Sequence, residues 1–188
     1  MDREKMKEFY TADLHLGHAN IIKYCGRPFK NINHMNKELI RRWNERVKPE
    51  DIVYHIGDFC FKNSKGGKKG EGLQTSAQEW EKKLNGKIIF IKGNHDRNNS
   101  TKTHIHSLVI NIDNKLINLV HNPAHFDNRF DINFIGHVHE KWQIQRKLSA
   151  FTFVDCINVG VDVWNFYPVT YEEIIKRYKQ WLKNDKVS

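Results

Sequence analysis

The chain has 188 residues, 39% hydrophobic and 28% charged, proportions of a folded domain that argue against disorder over most of its length. Its 31 Lys and Arg against 22 Asp and Glu give a formal charge of +9, a field that draws in phosphates or nucleic acid without naming either. The opening MDREKMKEFY carries no apolar run, 18 apolar residues never follow one another, and Cys25, Cys60 and Cys156 are widely spaced. The expectation is a cytoplasmic protein with neither signal peptide nor membrane span.

EFYTAD, Glu8 to Asp13, reads as the first strand, and LHLGHANIIKYCGRPF after it as a loop with a short helical turn. Met35, Leu39, Trp43 and Val47 recur every four residues, so they share one stripe of a helix that Pro49 ends. DIVYHIGD, residues 51–58, is a second strand closing in Gly57 and Asp58. The run 62–72, KNSKGGKKGEG, reads as a mobile surface loop.

Ser76 with Glu79 forms a capping-box pattern before Ala77, Trp80 and Leu84, predicting a helix that stops at Asn85 and Gly86. KIIFIKG is the third strand. SLVINIDNKLINLVHN splits at Asp113 and Asn114 into a hairpin whose second arm delivers His121. INFIGHVH repeats the pattern of a strand followed by ligand-type residues. WQIQRKL and AFTFVDCINVGVDVW read as further strands, and Thr170 with Glu173 opens a last helix carrying Ile174, Tyr178 and Trp181 inward. No composition break marks a second unit, so residues 1–188 are expected to form one domain.

The strand ends make a set: Asp13 and His15; Gly57 and Asp58; Gly93, Asn94, His95 and Asp96; His121; Gly136, His137 and His139. Strands that run in the same direction bring such ends to one edge, where residues distant in sequence build one pocket. Imidazole and oxygen donors in this number suit two divalent cations, with Asp58 as the bridging candidate. Without thiolates in the set, manganese, iron or zinc are the metals expected.

The ordered blocks DLH, GD, GNHD, a lone His and GHVH resemble those of the calcineurin-like metallophosphoesterase superfamily. The opening D-x-H-x-G-H-x-N-I, RPF and NVGVD extend the likeness to its small bacterial and phage members. The resemblance implies an α/β (α+β) four-layer sandwich of two facing mixed sheets flanked by helices. It also implies two divalent metals, Mn²⁺, Fe²⁺/Fe³⁺ or Zn²⁺. One would be held by Asp13, His15, Asp58 and His139, the other by Asp58, Asn94, His121 and His137. The reaction implied is hydrolysis of a phosphodiester or phosphomonoester by in-line attack of a metal-bound hydroxide. His95, oriented by Asp96, would be the acid or phosphate contact.

His18 and Asn20 read equally as substrate contacts or loop-shaping residues; for Arg27 and Arg97 a surface arginine is the default and a phosphate clamp the alternative. His34, His55, His104, His106 and His125 fall outside the blocks and read as structural. Trp43, Trp80 and Trp181 read as core, while Trp142 and Trp164, beside the blocks, stay open. The substrate expected is a phosphate ester, whether nucleotide or nucleic acid, with no obligate protein partner. The rival reading is a basic nucleic-acid-binding or scaffold protein with a vestigial metal site.

Overall fold

A computed structural model describes residues 5–61, 75–96, 101–149 and 152–185. The Lys/Gly run 62–72 and Arg97 therefore lie outside the described residues. In chain order the elements are β1 (Glu8–Thr11), α1 (Asn20–Tyr24), α2 (Ile32–Arg46), β2 (Ile52–Ile56), α3 (Ala77–Glu81), β3 (Lys87–Ile91), β4 (Ser107–Ile112), β5 (Lys115–Val120), β6 (Ile132–Ile135), β7 (Ile144–Ser149), β8 (Thr152–Asn158), β9 (Val169–Thr170) and α4 (Tyr171–Asp185). They form two mixed sheets, β3-β2-β1-β9 and β4-β5-β6-β8-β7. This is the expected architecture of two facing mixed sheets with helices.

Period-two alternation assigns each face. On the first sheet Phe9, Val53, Ile88 and Phe90 turn outward to a core shared with Met35, Leu39, Trp43, Val47 and Trp80. Tyr10, Tyr54, Ile56 and Ile91 turn inward and meet Ile117, Leu119, Ile132, Phe134 and Ile157 of the second sheet. The inward face of α4, from Tyr171 and Ile174 to Tyr178, closes this inter-sheet core. Val120, Ile135 and Cys156 point the other way, where Phe126 and Trp142 cover them.

Local chemistry accounts for the boundaries. Asn31 accepts the His34 N–H at 2.9 Å and starts α2 at Ile32, one turn before the apolar stripe. Ser76 and Glu79 make the reciprocal capping box of α3. Asp113 and Asn114 both have positive φ, the geometry of a two-residue hairpin turn. Trp181 is half-buried and stacks on Tyr178, with the Arg146 guanidinium 5.1 Å from its ring.

The strand after β7 ends earlier than its alternation predicts. The stretch expected as strand through Trp164 ends its strand at Asn158, and Val161–Val163 is a 3-10 turn. The Asn158 side chain accepts the Gly160 N–H at 2.8 Å and turns the chain there.

Candidate metal centre

β1, β2 and β3 are mutually parallel, as are β5, β6 and β8. Their C-terminal ends therefore gather every block at one rim. Backbone bonds join the loops: Asp13 N–H to Gly57 O and His15 N–H to Asp58 O, each 3.0 Å. The His137 N–H donates to Asp13 Oδ2 at 2.9 Å and ties the second sheet to the first.

Asp13, His15 and His139 bring ligand atoms within 4.8 Å of one another, and so do Asp13, Asp58 and His121. Asp58 Oδ1 accepts the His95 N–H at 2.9 Å. Its Oδ2 faces His15 Nε2 at 3.6 Å and His121 Nε2 at 3.3 Å. That single oxygen thus stands between the two halves of the expected ligand set. His121 Nε2 and His137 Nδ1 both point at Asn94 Oδ1, at 2.9 and 2.8 Å. His121 Nδ1 donates to the Ile56 carbonyl at 2.9 Å, so Nε2 is the nitrogen left to ligate.

The backbone is built around this cluster. Asp13, His15, Asp58, His137 and His139 all have φ between +50 and +73, a left-handed conformation costing about 1–2 kcal/mol per non-glycine residue. A Cβ on Gly93 would overlap Asp58 Oδ1, and one on Gly57 would overlap the His121 ring.

Electrostatics matches a cation site. Burial raises Asp13 to about 6. Burial acts against ionised Asp58, yet hydrogen bonding and attraction from His121 hold it below the usual carboxylate range. Burial would lower His121 and His139, but Asp58 raises the first to about 9 and Asp162 the second to about 10. Carboxylates that favour positive charge on His121 and His139 would favour a bound cation in the same place. His15 Nε2, fully buried, has no hydrogen-bond partner among the described residues, which is costly unless something else binds it. An orphaned imidazole nitrogen, two buried carboxylates and Asn94 fit hard-to-borderline divalent metals.

His95 is exposed, its ring 5.5 Å from His15. The Asp96 carboxylate accepts the N–H groups of Asp58, Phe59 and Gly93, so it fastens GNHD to the GD turn, a use the sequence reading did not foresee. His18 stacks on Phe61 at 4.1 Å and approaches His15, Nδ1 to Nδ1, at 3.3 Å; burial lowers it to about 4. Asn20 is exposed at the start of α1.

Arg27 differs from the phosphate clamp considered for it. Its guanidinium is buried and donates to Asp162 and to the Leu14 and Asp13 carbonyls. Asp162, missed in the sequence, accepts from His139 Nδ1 at 3.0 Å through Oδ2. NVGVD begins at the last residue of β8 and so places Asp162 just past that strand's end, as the other blocks place their ligands. Trp142 covers the second sheet, and Trp164 Nε1 donates to Asn158 O at 2.8 Å.

The class this fold and site define is confirmed by comparison. The Calcineurin-like phosphoesterase family model matches residues 9–187, and the chain belongs to that family. It is 37% identical over 174 residues, 90% of each chain, to "Uncharacterized protein MJ1445" of Methanocaldococcus jannaschii. It is 35% identical over 89 residues to "Gene 66 protein" of Mycobacterium phage D29, covering 47% of this chain and 40% of that one. The crystal structure of protein AQ665 from Aquifex aeolicus has the same fold, with a TM-score of 0.67 at 24% identity over 92% of this chain and 99% of that one.

Proposed function

We propose that the chain is a metal-dependent phosphoric ester hydrolase acting on a phosphodiester or phosphomonoester through two divalent cations. The observation that carries this reading is Asp58 Oδ2, held between His15 and His121. Asp13, His15, Asp58 and His139 would hold one cation, and Asp58, Asn94, His121 and His137 the other; manganese, iron or zinc suits these donors. Bound there, the pair supplies an activated water and neutralises charge on the phosphoryl oxygens.

The chain's own residues do the rest. The His95 N–H fixes Asp58 Oδ1, so the carboxylate cannot rotate away from the cluster. Asp162 and the Ile56 carbonyl hold the His139 and His121 rings in the orientation ligation needs. The exposed His95 ring is available to contact a phosphoryl oxygen or pass a proton to the leaving oxygen. His18 approaches His15, Nδ1 to Nδ1, at 3.3 Å and so sits beside the cluster.

The donors come from both sheets, which supports one catalytic domain spanning the chain. The thiols Cys25, Cys60 and Cys156 are free, in keeping with a reducing cytoplasm. No helix among the described residues is long and apolar enough to cross a membrane.

The test is hydrolysis of an aryl phosphodiester and the matching monoester by Mn²⁺-reconstituted protein, with Asp58→Asn as the blank. Turnover of either ester that the blank lacks supports the reading. Silence on both, with metal verified as bound, contradicts it and favours a binding protein.

A further inference from the structure

A cleft of about 600 Å³ opens beside the metal centre, with Asn94 and His121 among its lining residues. Lys92, His106, Ser107 and His125 also line it, and no Asp or Glu does. Lys92 is half-buried, while His106 and His125 are exposed. None of these three side chains has a partner among the described residues. The backbone pins the wall: Lys92 N–H donates to Ile105 O at 2.7 Å, and Asn122 caps the 3-10 turn that carries His125 by accepting the Ala124 N–H at 2.8 Å.

This composition selects a ligand. An unpaired ammonium beside exposed imidazoles, in a cleft without carboxylates, attracts negative charge and repels none. Imidazole rings also provide flat faces on which bases stack. The volume lies within the range of ligand pockets, about 300–1,000 Å³, and exceeds what one phosphoryl group beside the metals requires. A formal charge of +9 adds a long-range field of the same sign.

We propose that this cleft holds the nucleotides adjoining the scissile phosphate of a single-stranded nucleic acid, with Lys92 meeting a neighbouring phosphate and His106 and His125 meeting bases or sugar-phosphate. It rests on the phosphoester-hydrolase reading and names that site's substrate class. His106 and His125, outside every sequence block, thereby become specificity-determining residues.

The test compares three substrates with Mn²⁺-reconstituted protein: an aryl phosphodiester, the p-nitrophenyl ester of thymidine 5′-phosphate, and a short oligothymidylate. In the wild type, kcat/KM should rise most at the oligomer. In Lys92→Gln/His106→Gln/His125→Gln, the ratio of oligomer to aryl diester should fall tenfold or more, mainly through KM. A gain complete at the mononucleotide ester, or an unchanged ratio in the triple variant, overturns the proposal.

A parallel anisotropy titration with fluorescent octathymidylate, at about 50 and 200 mM salt, does not depend on turnover. Weaker binding and a shallower salt slope in the triple variant support the cleft; equal affinity and slope overturn it. Absence of all hydrolysis would refute the enzyme reading alone, and this titration would still decide what the cleft binds.

Discussion

Arg27 and Asp162, 135 residues apart, form a two-pronged buried ion pair: Nε to Oδ1 at 2.8 Å and Nη2 to Oδ2 at 2.9 Å. Asp162 Oδ2 also accepts from His139, while the Arg27 guanidinium donates to the Asp13 and Leu14 carbonyls. One ion pair thus links the loops after β1, β6 and β8. Arg27→Met strands a buried carboxylate and should cost roughly 3–5 kcal/mol, read from urea unfolding. Asp162→Asn should weaken metal uptake about 10–100-fold by releasing His139, read by metal titration. Wild-type stability in the first variant would show that the pair is not structural.

Asp58 and His95 should separate metal binding from chemistry. Asp58→Asn removes charge from the oxygen between His15 and His121 and should lose at least one metal equivalent. His95→Asn should keep both and lose about 10²–10⁴ in kcat, the usual range for a general acid or base. Elemental analysis beside kinetics makes the comparison, and full activity in either variant would break its assignment.

Gly93 tests the fit around Asp58. A Cβ there would overlap Asp58 Oδ1 and the Asp58 backbone nitrogen, both held by hydrogen bonds. Gly93→Ala should destabilise the protein by about 1–3 kcal/mol, the usual overpacking cost, and should lower metal affinity with it. Calorimetry with and without Mn²⁺ reads both, and a melting curve identical to wild type would contradict the expected overlap.

His55 should shape acid stability. It is fully buried, packed edge-on against Phe59, with no partner for either ring nitrogen among the described residues. Burial lowers it to about 3 from 6.5. Between those values the unfolded chain binds a proton that the folded chain does not. The His55 contribution is therefore complete above 6.5 and is lost as pH falls, at up to about 1.4 kcal/mol per pH unit. His55→Gln should flatten the fall in unfolding free energy between about pH 4 and 6; an unchanged slope would place the titration elsewhere.

Much of this was legible in the sequence because each ligand block sits where a β-branched or aromatic run stops. Short β-branched and aromatic runs mark β1, β2, β3 and β6, and Asp13, Asp58, Asn94 and His137 follow two or three residues after them. Asp162 escapes because NVGVDVW alternates like a strand, whereas the Gly160 N–H to Asn158 Oδ1 bond and the 3-10 turn after it break that run. Arg27 and Asp96 act on backbone groups or residues distant in sequence, which no local pattern reveals. β9 has only two residues, too few for any period to register.

Two cations sharing Asp58 underlie the proposed chemistry. The most direct measurement is anomalous diffraction from crystals of the Mn²⁺-loaded protein. Two peaks roughly 3.5–4 Å apart, with Asp58 Oδ2 between them and His15 and His121 on opposite sides, are the expected result. A single peak, or two that leave Asp58 outside their coordination, would contradict the dinuclear centre.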